Sequence, residues 1–366
     1  MRTALPPSRV APELRWKRVV AARMSKPTSR DNNLASLDVL RGIAIISVLI
    51  GHAWPTDLPA PRSLILFFGQ FGVILFFFLS GFLMDRTYAE HSQLGPFVIR
   101  RLFRILPMYW VSILLIFVTE RGWTLRDVMA NAIFATGPMH VTRMSGVYWT
   151  LYIEMLFYAT VPLVFFAGRR AIRFSPYVAI GLFGTLWAFG VRSGVAPHYL
   201  AYCYLGLQFG ARRRKAIGRG VLLGSLITVT AAAGILPFIS PFPDIISPFL
   251  GLAPAVCAIL LYEAIRLPIR ARPIELFGRI SYSLYLLHAI FLSQVGGLLI
   301  ADGYSSWLVA AACVAVATIF SLITFVLIER PAIAVGRWII KLFSRAIVDE
   351  TASARIIDLP PNTEHM

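Results

Sequence analysis

Apolar residues in this chain arrive in long blocks, and charge collects in the short links between them. A membrane-spanning helix needs about 20 mostly apolar residues. By that rule ten segments stand out, at about 37–54, 64–84, 105–119, 147–168, 174–192, 198–211, 218–239, 248–265, 279–300 and 306–328. The pattern predicts an all-α polytopic membrane helix bundle with about ten transmembrane helices. The link at about 120–146 is the longest on its side, and a short interfacial helix or lid is expected there.

The links alternate in charge. Those after the second, fourth, sixth and eighth segments contain Arg86, Arg100, Arg101 and Arg104, then Arg169, Arg170 and Arg173, then Arg212, Arg213, Arg214 and Lys215, then Arg266, Arg270 and Arg272. The opposite set holds Arg62, Arg121, Arg126, Arg143 and Arg192. Because Lys and Arg stay on the cytoplasmic side, both termini are expected there, in a multi-pass protein of the inner (cytoplasmic) cell membrane.

Composition agrees with the blocks. Of 366 residues 57% are hydrophobic and 14% charged, with a mean hydropathy of +0.71, where a soluble protein carries about a quarter charged residues. A soluble enzyme, a disordered chain and a disulfide-stapled secreted domain are excluded. The formal net charge of +17 would suggest nucleic acid, but its confinement to links and tails marks topology instead, so no nucleic-acid partner is expected. Cys203, Cys257 and Cys313 each stand alone in apolar sequence, with no metal-ligand spacing, and no metal is expected.

Residues 1–35 are basic and proline-containing, without the apolar core of a signal peptide. They are expected to form a disordered cytoplasmic tail, with Met24 as a second candidate start. Residues 36–335 form the membrane domain and 336–366 a cytoplasmic C-terminal tail, irregular from about Ser344.

Ionisable groups inside a bilayer are costly and tend to be functional. In the first segment Arg41 and His52 are eleven residues apart, which is about 16 Å of helix rise with the two side chains roughly 20° apart around the axis. One helix face thus carries an anion-binding group low and a proton-transfer group high. The alternative is a structural Asp38–Arg41 pair plus an interfacial histidine. Glu154 is the only acid in the apolar run of the fourth segment, at a depth expected to match His52 and to steady its imidazolium. The alternative is a carboxylate paired with a backbone donor or with Arg143. Ser281, Tyr285 and His288 follow i, i+4, i+7 and form one polar stripe, either interhelical glue or the wall of a wet cavity. Arg101 and Arg104, at i,i+3, form a candidate clamp for a phosphorylated ligand, or a plain topology marker. Ser80-Gly81 is a small-residue notch for close helix approach.

Together these segments resemble the acyltransferase 3 family of membrane O-acyltransferases. Leu37-Asp38-Val39-Leu40-Arg41-Gly42 through His52 resembles its Arg-x10-His signature, and Val73 to Phe82 its second-span motif. Arg101-x-x-Arg104-Ile105-Leu106-Pro107 resembles its Arg-x-x-Arg element. Trp149-Thr150-Leu151-x-x-Glu154-x-x-Phe157-Tyr158, Ser281-Tyr282-Ser283-x-Tyr285-Leu286-x-His288 and Glu329-Arg330-Pro331 complete the ordered set. Thr150 stands where the family usually has Ser, and Ile74 where many members carry an acidic or polar residue.

The resemblance implies an O-acyltransferase with no bound cofactor. A cytoplasmic acyl-CoA, most often acetyl-CoA, is the donor, and a hydroxyl of a carbohydrate or lipid-linked sugar is the acceptor. It implies that Arg41, Arg101 and Arg104 meet the CoA phosphates and that Trp149, Ser281, Tyr285 and His288 line the substrate path. His52 then acts as general base with Glu154 beside it, or His52 itself carries the acyl group in a covalent relay. Two other classes compete: a transporter or flippase of a glycan-related substrate, and a non-catalytic membrane scaffold. The chain shows no internal repeat of the kind common in secondary transporters.

Overall fold

The computed structural model describes residues 29–55, 59–91, 93–188, 199–239, 246–267 and 269–357. The expectations for the segment before Ser29, including Met24, for the end of the fifth apolar segment and the link after it (189–198) and for residues 358–366 lie outside these.

Each of the ten apolar segments coincides with a helix, and no strand occurs among the described residues. The helices are α1 (Ser29–Ala53), α2 (Arg62–His91), α3 (Leu94–Thr119), α4 (Leu125–Ala132), α5 (Tyr148–Phe166), α6 (Gly168–Ala188), α7 (Tyr199–Arg213) and α8 (Arg219–Ile239). There follow α9 (Ala253–Arg266), α10 (Arg272–Arg279), α11 (Ser281–Ala301), α12 (Ser306–Thr324) and α13 (Arg330–Ile357). Among the described residues, six helical stretches are long and apolar enough to cross a membrane: Ala35–Ala53, Arg62–Ala89, Leu94–Thr119, Tyr148–Phe166, Ser281–Ala301 and Ser306–Phe343. The protein is an all-α polytopic membrane bundle.

Three boundaries differ from the hydropathy reading. The first helix begins at Ser29, inside the segment expected to be disordered. The third begins at Leu94, eleven residues earlier than the apolar run, so Arg100, Arg101 and Arg104 sit on a helix. The last continues through Ile357, where an irregular tail was expected. In all three the extra turns carry charged residues, the arginines Arg100, Arg101 and Arg104 in the case of α3, and a hydropathy window discards such turns although charge does not break a helix.

Helix α7 is only 15 residues long and almost entirely buried, because its neighbours are other helices and not lipid. It packs most extensively on α2, and glycine permits the approach. A Cβ on Gly81 would lie 1.8 Å from the Cys203 carbonyl oxygen, and one on Gly206 would lie 1.9 Å from that of Phe78. Backbone must move to admit either, so Gly206→Ala is expected to cost at least the 1–3 kcal/mol typical of overpacking. Gly297, with nothing within 4 Å of a built Cβ, is the control, and Gly297→Ala should not lower stability. Thermal unfolding of the two variants in detergent checks the contrast. A buried Asp85 on α2 also binds Arg214 just past α7, at 2.9 Å (Nε–Oδ2) and 2.5 Å (Nη2–Oδ1).

The long link contains the expected short helix, α4. Thr124 caps it: its backbone N–H and hydroxyl reach Asp127 Oδ2 at 2.7 and 2.6 Å, and these bonds, the hydroxyl first, hold the Asp127 carboxyl below the usual range. Asn131 then folds the link back on itself, donating to the Thr142 carbonyl at 3.2 Å and accepting from Met144 N–H at 3.1 Å. The Tyr109 hydroxyl on α3 donates to the Asn131 carbonyl at 2.8 Å. Next along the link, Gly146 and Val147 line cavity space.

Candidate functional site

Two cavities lie inside the bundle and share the wall residues Val73 and Tyr285. The first has about 830 Å³ of empty space including its open mouth. Its wall includes Arg41, Arg101, Arg104, Glu154, Tyr158 and Ser281. The second has about 640 Å³, and its wall includes His52, Gln70, Gly146, Trp149 and Tyr199. Arg41 and His52, both on α1, thus line different chambers that have two wall residues in common.

At the arginine end, Arg41 Nη1 donates to Asp38 Oδ1 at 3.0 Å, and Asp38 also faces Arg279 at 3.7 Å. The structural pair and the cavity-lining role therefore coexist. Arg101 lies over the rings of Phe97 and Tyr158, at 5.8 and 5.5 Å from their centroids. Its Nε is buried with no hydrogen-bond partner among the described residues, an expensive state for a cation unless a ligand completes it. Arg104 lines the same chamber. Three guanidiniums share this wall with a single carboxylate, so the chamber is built for an anion.

Glu154 is that carboxylate, and the structure does not bring it beside His52. It accepts a hydrogen bond from the Tyr158 hydroxyl and lies 3.5 Å from Ser80 Oγ, in the arginine chamber. The reason is depth. His52 is one residue from the end of α1, whereas Glu154 is six residues into α5, about 9 Å of helix rise from its first residue.

The neighbour of His52 is instead His288. Its Nε2 lies 3.4 Å from His52 Nδ1, with ring centroids 5.2 Å apart at 49°. The His52 ring is exposed to its chamber, while His288 is buried and lines neither cavity, so it is not part of the substrate-contacting wall expected from the stripe. Ser281 and Tyr285 do face cavity space. Trp149 does so at the histidine end, its ring 4.8 Å from Tyr199. The Tyr285 and Thr150 hydroxyls are 2.9 Å apart, so the threonine that departs from the family pattern keeps the hydroxyl in use. Ile74 is fully buried in the apolar core.

Residues 34–326 match the profile of an acyltransferase domain, that of the acyltransferase 3 family. The chain belongs to the acyltransferase 3 family. This acyltransferase 3 protein is 28% identical over 208 residues to Nodulation protein 10 of Rhizobium leguminosarum bv. viciae, covering 54% of this chain and 49% of that relative. It therefore spans about half the length of Nodulation protein 10. It is 27% identical over 297 residues to the exopolysaccharide production protein ExoZ of Rhizobium meliloti (strain 1021), covering 74% and 91%. To the putative membrane-bound transacylase BcsY of Komagataeibacter xylinus it is 30% identical over 154 residues, 36% of each chain. No solved structure matches.

One further acid, which lines neither cavity, interacts with arginines of the first chamber. Glu329 closes a π-helical turn, Phe325–Glu329, between α12 and α13. Such turns are frequent at functional sites. The buried carboxylate accepts from Ser283 Oγ at 2.9 Å and interacts electrostatically with Arg104 and Arg41. Its signal in sequence was an acid ending an apolar run before Arg330-Pro331; the π turn that aims it inward leaves no such mark.

Proposed function

We propose that this protein is a membrane acyltransferase that moves an acyl group, acetyl foremost, from a cytoplasmic acyl-CoA to a hydroxyl of a carbohydrate or glycolipid near the outer face. The observation that carries the reading is the pair of cavities that share the wall residues Val73 and Tyr285, one cationic and the other furnished with the imidazole of His52. Family membership supports the reaction class. The printed names of ExoZ and BcsY, exopolysaccharide production and transacylase, favour a glycan acceptor and acyl transfer respectively. The basic links favour ten spans, cytoplasmic termini and an inner-membrane location.

In this reading Arg41, Arg101 and Arg104 hold the CoA phosphates by charge-assisted hydrogen bonds. Glu154 and Glu329 offset part of the chamber's charge. The pantetheine arm, on the order of 15–20 Å when extended like a short peptide, spans the rise from Arg41 to His52. A free nitrogen of His52 takes the proton of the acceptor hydroxyl as its oxygen attacks the thioester carbonyl. The C–S bond breaks, and the proton passes to the departing CoA thiolate.

Purified protein supplied with labelled acetyl-CoA and a glycan acceptor tests the reading. Labelled acceptor and free CoA are expected; counterflow of an intact substrate would mark a transporter, and inertness a scaffold. Because Val73 and Tyr285 wall both cavities, Val73→Ala should raise the use of butyryl-CoA relative to acetyl-CoA by roughly tenfold, the scale of a methylene or two in an apolar pocket. Competition between the two donors measures the ratio.

A further inference from the structure

We infer that His288 is a positioning residue that decides which nitrogen of His52 is basic, an inference resting on the acyltransferase reading. A neutral imidazole has one N–H donor and one lone-pair acceptor, and the hydrogen-bond network assigns them. His288 Nδ1 lies 2.8 Å from the Tyr285 carbonyl and 3.2 Å from that of Leu284. Carbonyls only accept, so Nδ1 of His288 carries the proton. Its Nε2 is therefore an acceptor, and it points at His52 Nδ1, 3.4 Å away.

His52 Nδ1 has a second acceptor, the Val48 carbonyl, at 3.1 Å. Two acceptors and no donor face this nitrogen, so it too carries its proton. The lone pair of His52 must then sit on Nε2, on the ring edge away from α1 and His288, in a ring exposed to the chamber lined by Trp149 and Tyr199. The α11 backbone thus reinforces, through one buried ring, the tautomer that the Val48 carbonyl also favours, a task given elsewhere to a carboxylate. The pair needs no carboxylate beside it, consistent with Glu154 lying in the other chamber.

The α1–α11 contact also explains why His288 is buried although it is polar. Burial of an imidazole is tolerated when both nitrogens are bonded, and both are. A purely structural histidine would satisfy the same rule. The two roles separate when the Nε2 acceptor alone is removed, because only a positioning histidine then changes the chemistry at His52.

Two measurements on full-length protein in nanodiscs test the inference. In wild-type protein with ¹⁵N-labelled histidine, His52 is expected to be protonated on Nδ1; protonation on Nε2 would overturn the assignment, whether or not the protein transfers acyl groups. With labelled acetyl-CoA, His288→Leu should lower kcat roughly 10- to 100-fold, within the range of a positioned base, with the donor KM changed less than about threefold. His288→Gln, which keeps an acceptor near the Nε2 position, should recover most of that loss. Equal loss in both variants, or a loss confined to KM, would contradict the role. A wild type that consumes no acyl-CoA would defeat the acyltransferase reading and leave the tautomer result to stand or fall by itself.

Discussion

His52→Ala is expected to lower acyl transfer by roughly 10²–10⁴-fold, the contribution of a positioned general base. Stability should fall only modestly, through the buried His288 Nε2 left without its partner. The ring is exposed to its chamber, its backbone contact is with the Val48 carbonyl one turn below, and alanine is the best helix former. Transfer per mole of folded protein, measured beside thermal unfolding, separates chemistry from stability. Activity within about threefold of wild type would remove His52 from the reaction.

Arg101→Gln and Arg104→Gln are expected to act on the donor and not on the acceptor. A hydrogen bond to a charged group contributes about 1.5–3 kcal/mol, and each 1.4 kcal/mol is tenfold in affinity. Each variant should therefore raise the apparent donor KM by roughly tenfold or more, and the pair by 10²-fold or more. Arg101 already has an unpartnered buried Nε, so its replacement removes a desolvated charge and should not destabilise the empty protein. Steady-state kinetics with donor and acceptor varied separately check this. An unchanged donor KM, or an equal rise in both constants, would contradict a phosphate-holding role.

The bundle was legible in the sequence because lipid imposes long apolar runs and the cytoplasm collects arginine; both signals survive without knowledge of any contact. The alignment of Arg41 with His52 was legible for a related reason: both lie on one helix, where spacing fixes direction and rise. The partners of these residues were not. Glu154 and His52 belong to different helices, and their relative depth depends on where each helix ends. Nor could spacing along α11 show that His288 turns towards α1 while Tyr285, three residues earlier, faces the cavities. Helix α3 began eleven residues before its apolar run because its first turns carry arginines, the residues that bring it to the site. The apolar segment of α7 is only about 14 residues long, below the about 20 that a span needs, and only its close glycine contacts with α2 show it to be a central helix.

The central claim is that the arginine chamber and the histidine chamber are two ends of one reaction path. It is tested most directly in sealed vesicles of uniform orientation, with labelled acyl-CoA supplied only on the side of Arg101 and Arg104 and glycan acceptor only on the side of His52. The account predicts labelled acceptor on the His52 side, with unlabelled CoA released on the arginine side, and neither product with His52→Ala. Intact acyl-CoA crossing the membrane, or acylated acceptor forming only when both substrates share the arginine side, would contradict it.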